Sequence, residues 1–98
     1  MDPITIYAKN PGGEWFATSI VPTPENITEW IGGDDKGMKI ARDVLLIYNA
    51  DGEQKGKHPF NLRFVGRDFY GPVIITGLTR AGCLRSVPID FKTWVEII

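Results

Sequence analysis

The sequence predicts an α+β domain: one mixed or mostly antiparallel sheet of about five or six strands, with two short helices packed on one face. Three observations carry this. Alternating apolar residues open the chain, two continuous apolar runs at 44–48 and 73–75 read as central strands, and two short helical stripes follow capping signals. At 98 residues the chain suits a single domain, residues 1–98.

Ile4, Ile6 and Ala8 alternate with Thr5, Tyr7 and Lys9, the period of a strand with one face inward. Pro11-Gly12-Gly13 breaks this run, and Trp15 to Val21, aromatic and β-branched, supplies a hairpin partner. Thr23-Pro24 starts a helix: threonine caps free backbone donors, and proline loses nothing at a first position whose N–H is unpaired anyway. Ile27, Trp30 and Ile31 form its stripe and Gly32-Gly33 ends it. Met38 to Ala41 reads as a short strand, and Val44 to Tyr48 as a central one closed by the Asp51-Gly52 turn. Gly71-Pro72 leads into Val73-Ile74-Ile75, Gly77 to Gly82 reads as a loop, and Leu84 to Val87 as a strand pairing back. Asp90 caps a last helix whose Phe91, Trp94, Val95 and Ile98 fall on one face expected to be buried.

Residues 50–71 exceed the ~4–6 residues that usually join elements in compact domains, and long connections are often functional. They hold the only histidine, His58, four basic residues and the aromatics Phe60, Phe64, Phe69 and Tyr70. Phe60, Leu62 and Phe64 alternate with Asn61, Arg63 and Val65, so this piece reads as a strand with its aromatics inward. Its other face, with Lys55, Lys57, His58, Asn61, Arg63 and Arg67, is rich in donors suited to carboxylates or phosphates. The two readings are compatible. The candidate binding residues are therefore Lys57, His58, Asn61, Arg63, Arg67, Phe69 and Tyr70, with the arginines as charge anchors and Phe69 or Tyr70 as apolar centre.

Charge is uneven along the chain. Residues 1–54 carry four basic against nine acidic residues, and 55–98 carry seven against three, giving a net charge of −1. Such asymmetry suits a polar ligand or acidic partner, although charges can intermix in the fold. The overall balance argues against general duplex binding, which phosphate contacts dominate.

Catalytic chemistry finds little purchase. Cys83 and His58 are the only Cys–His pair, and Cys83 reads as a small apolar residue at a strand start. Neither Ser19 nor Ser86 lies in a Gly-x-Ser-x-Gly elbow. Asp34-Asp35-Lys36-Gly37 lacks calcium-loop spacing, and no Gly-rich phosphate loop occurs. No enzyme activity, metal or cofactor is expected. The opening MDPITIYAKN shows no basic region followed by an apolar stretch, so no signal peptide is expected, nor is a membrane partner.

The order of features also carries a resemblance. Trp30-Ile31-Gly32-Gly33 ends a helix, and Leu45-Leu46-Ile47-Tyr48-Asn49 precedes Asp51-Gly52. Pro59-Phe60-Asn61-Leu62-Arg63, Gly71 before an apolar strand, and Leu84-Arg85-Ser86-Val87 before an acid-capped helix follow. Across nearly the whole chain this resembles a family of small proteins of unknown function encoded by phages and conjugative elements of bacteria. It departs from that pattern at Leu62, which separates Asn61 from Arg63, and in the aromatic terminal segment with Phe91 and Trp94. The resemblance implies a bacterial cytoplasmic setting and a non-enzymatic protein that binds a host protein, as an inhibitor of a host defence system would. A nucleotide-sequestering protein or a single-stranded nucleic-acid module is the alternative expectation, and exposed edge strands would permit a homodimer.

Overall fold

A computed structural model describes residues 1–98. The strands are β1 (Ile4–Lys9), β2 (Phe16–Ile20), β3 (Asp35–Ala41), β4 (Val44–Asn49), β5 (Phe60–Phe64), β6 (Arg67–Tyr70), β7 (Val73–Leu78) and β8 (Leu84–Arg85). The helices are α1 (Pro24–Ile31) and α2 (Phe91–Ile97). Strands β2-β1-β7-β4-β3 lie in that order in an antiparallel sheet, with β8 as a sixth strand on β7, while β5 and β6 form a separate hairpin. The expected α+β domain is what the chain forms.

The sheet is covered on both faces, which explains why its central strands are apolar throughout. Ile6, Ala8, Ile47 and Ile74 face Ile27 and Ile31 of α1. Tyr7, Leu46, Tyr48, Val73 and Ile75 face Phe69 of β6 and Trp94 of α2, with Leu62 and Phe64 packed alongside. The expectation of both helices on one face is thus corrected. A continuous apolar run has no alternation to say which element covers which side, and the β5–β6 hairpin takes the space beside α2.

The helix ends follow the sequence signals. Thr23 Oγ1 accepts from the Asn26 N–H at 3.2 Å, and Gly32, at φ 82, donates its N–H to the Thr28 carbonyl at 2.9 Å. Asp90 caps α2 by accepting from the Thr93 N–H at 3.3 Å. The buried face expected for α2 is only partly realised: Trp94 is buried, whereas Val95 is 41% and Ile98 44% exposed.

Gly77 belongs to β7 rather than to the expected 77–82 loop, pairing with Arg85. A Cβ there would lie 2.3 Å from the Ser86 carbonyl oxygen, so only glycine lets β8 approach. Beyond β8 the chain bonds to β1, where the Val87 N–H donates to the Thr5 carbonyl and the Thr5 N–H to Ser86 Oγ. The sheet edges are β2 and β3. Edge β3 carries Lys36 and Lys39 and a register shift, devices that discourage strand addition. Edge β2 carries no charge.

A candidate docking groove beside the β5–β6 hairpin

The 50–71 segment is mostly structure. Its loop is held by Tyr70 N–H to Gly52 O at 2.7 Å and Gly71 N–H to Pro59 O at 2.8 Å. Glu53 pins it to the hairpin, accepting from the Tyr48 hydroxyl at 3.0 Å and pairing with the Arg67 guanidinium. The hydrogen bond from Arg67 holds the Glu53 carboxyl below its ordinary range, outweighing the opposing effect of burial. Burial, then the Glu53 hydrogen bond, raises the Tyr48 phenol, so it stays protonated as the donor.

The structure spreads the candidate residues apart. Asn61 is buried: its amide N–H groups donate to the Lys9 carbonyl at 2.8 Å and the Gly71 carbonyl at 2.7 Å, while its side-chain oxygen accepts from Lys9 Nζ at 2.8 Å. Asn61 therefore fastens the hairpin to β1 and has no donor left for a ligand. Phe69 is fully buried against Tyr48, their rings 5.0 Å apart, so it serves the core and not a surface. Arg67 is occupied by Glu53 and also reaches Met38 Sδ at 2.9 Å. Lys57 is exposed in the loop and His58 half-buried beside Gly71. Tyr70 lies at the hairpin's base against Phe60, rings 5.6 Å apart. Phe60 is 52% exposed, contrary to its expected inward position, because the register shifts between Phe60 and Leu62. Cys83, expected at a strand start, is exposed in the β7–β8 turn.

Arg63 is the candidate residue that borders a concavity. A groove of about 500 Å³ runs between the hairpin, the β1–β2 turn and the end of α2. Trp15, Leu62, Phe64, Val95 and Ile98 give it apolar walls, and Lys9, Glu14 and Arg63 line it too. Trp15 stands edge-on to Trp94 with centroids 5.2 Å apart, which anchors the groove to the core. Arg63 pairs with Asp68 across the hairpin at 3.2 Å, but both side chains are exposed, so the pair is weak and can be exchanged for an incoming carboxylate.

The hairpin tip adds a second feature. Val65, at φ 51, and Gly66, at φ 73, are the two residues between Phe64 and Arg67, both left-handed as a type I′ turn requires. A β-branched residue there is strained, yet Val65 is 68% exposed. The turn therefore presents an apolar side chain to solvent at a cost in stability. Sequence reasoning placed Val65 in a strand and passed over it; Val-Gly between Arg63-Phe64 and Arg67 was the signal available.

No family model, curated protein or solved structure matches this chain. No helix is long and apolar enough to cross a membrane.

Proposed function

We propose that this is a non-enzymatic binding domain that docks on another protein through the hairpin tip and the adjoining groove. The observation that carries the reading is Val65, strained and exposed beside a groove walled by Trp15, Phe64 and Val95. Strain kept at an exposed apolar residue points to use of that residue. Aromatic and arginine anchors around a desolvated centre are the usual makeup of an interface hot spot. The partner segment that fits presents an apolar side chain to the groove and a carboxylate to Arg63. The resemblance to mobile-element proteins makes a bacterial host protein the proposed partner, with inhibition of a host defence system as the consequence of docking.

The test is capture from bacterial lysate at moderate salt, by the native chain and by Arg63→Glu and Val95→Asp variants that melt with it. One host protein held by the native chain and lost from both variants is the expected result. Equal capture by the variants, retention of nucleic acid or nucleotide in place of protein, or an empty column overturns the proposal.

A further inference from the structure

The far end of the sheet holds a second concavity, of different chemistry. Arg42 lies in the turn between β3 and β4, Arg80 in the turn between β7 and β8, and Arg85 in β8. All three line one pocket of about 310 Å³, together with Asp43, Leu78 and Thr79. The register puts it at the Val44–Gly77 end of the β4–β7 ladder, whereas the docking groove borders Lys9, which pairs with Val73 at the other end.

The backbone beneath these arginines is fixed. Leu78 donates its N–H to the Asp43 carbonyl at 2.9 Å, which ties the two turns together. Thr79 and Cys83 exchange bonds, Thr79 N–H to the Cys83 carbonyl at 2.8 Å and Cys83 N–H to Thr79 Oγ1 at 3.0 Å. The charges above it are barely compensated. Asp43 reaches Arg85 only at 3.7 Å, with both side chains nearly half exposed, and neither Arg42 nor Arg80 makes an ion pair. Three guanidinium groups thus face one carboxylate, a local excess of positive charge in a chain of net charge −1.

We propose that this pocket binds the phosphate group of a small molecule. Guanidinium forks match phosphate oxygens with paired, charge-assisted hydrogen bonds, and three of them can surround a dianion. With Leu78 as its one apolar lining residue, the pocket suits an anionic head better than an apolar body. A polyanion is disfavoured: outside this cluster the chain is net acidic, and a nucleic-acid surface needs a continuous basic track. The site is separate from the docking groove and does not depend on the docking proposal.

The test is calorimetric titration of the native chain with inorganic phosphate, with adenosine monophosphate and with a short single-stranded oligonucleotide. Arg80→Gln, Arg85→Gln and the distant Arg63→Gln are titrated in parallel, and all are checked for unchanged melting. Saturable binding of phosphate or the monophosphate, weakened about tenfold by each pocket variant and unchanged by Arg63→Gln, is expected. The monophosphate binding more tightly than phosphate assigns the source to a phosphate ester, and the reverse order to the free ion. No saturation at about 1 mM of either ligand, equal binding by the pocket variants, or binding of the oligonucleotide alone overturns the proposal.

Discussion

Replacing Val65 by asparagine should stabilise the protein and weaken docking at the same time. A left-handed L-residue costs about 1–2 kcal/mol, and a β-branched one stands at the unfavourable end. Asn-Gly is the preferred pair for a two-residue turn of this type, and the substitution creates it in front of Gly66. Val65 is 68% exposed, so the valine loses only about a third of the ~1.5–3 kcal/mol that full burial would supply. The net gain is about 0.5–1 kcal/mol, or roughly 2–5 °C in Tm for a domain of this size. Thermal melts followed by circular dichroism measure it. If the hairpin tip is the interface centre, the same variant binds its partner about fivefold or more weakly, since truncating a hot-spot residue costs more than about 1 kcal/mol. A Tm that falls or stays put refutes the strain argument, and unchanged affinity in a stabilised variant removes the tip from the interface.

Other outcomes follow from the same geometry. Asn61→Ala removes three side-chain hydrogen bonds, two of them to Lys9 and one to Gly71, and should cost about 3–4 kcal/mol in urea unfolding. Gly77→Ala drives a Cβ into the Ser86 carbonyl and should cost about 1–3 kcal/mol in urea unfolding while loosening phosphate affinity, read by titration, by displacing Arg85. The Glu53 carboxyl titrates below its unfolded value in the folded chain, so its stabilisation is complete above the ordinary range near 4.5 and fades as pH falls through the folded value. The stability gap between the native chain and Glu53→Gln, measured by urea unfolding across pH, should therefore be widest near neutrality and close in acid.

The local signals in the sequence were sound, and the tertiary ones were not visible there. Thr23, Gly32 and Asp90 delimit helices through contacts within a few residues, so their reading needs no knowledge of the fold. The runs at 44–48 and 73–75 are central strands because both faces are covered, but nothing in a continuous run distinguishes the α1 side from the α2 side. Asn61 and Arg67 looked like donors awaiting a partner. Their partners lie inside the chain, on Lys9 and Glu53, and sequence separation hides such pairs. The Arg42, Arg80 and Arg85 cluster was hidden for the same reason, since only the β3-β4-β7-β8 neighbour relations gather those turns at one end.

That arrangement has a consequence for how the two sites can act. The groove and the arginine pocket flank the length of β7, whose residues Val73 to Leu78 span about 17 Å at the usual rise of a strand. Substitutions that far apart with no shared partner ordinarily add within about 0.5 kcal/mol. The strand between them is buried over nearly its whole length, and a packed core does not deform gradually. Arg63→Glu should therefore leave phosphate affinity untouched, and Arg80→Gln should leave docking untouched. Coupling between the two would require an element with two arrangements. The candidate for it is β8, wedged between β7 and the start of β1, because it carries Arg85 and leads through Ser86 and Val87 to β1. A double variant, Arg63→Glu with Arg80→Gln, decides the matter: additive losses mean two independent sites on a rigid sheet, and departure from additivity by more than about 0.5 kcal/mol means that β8 moves.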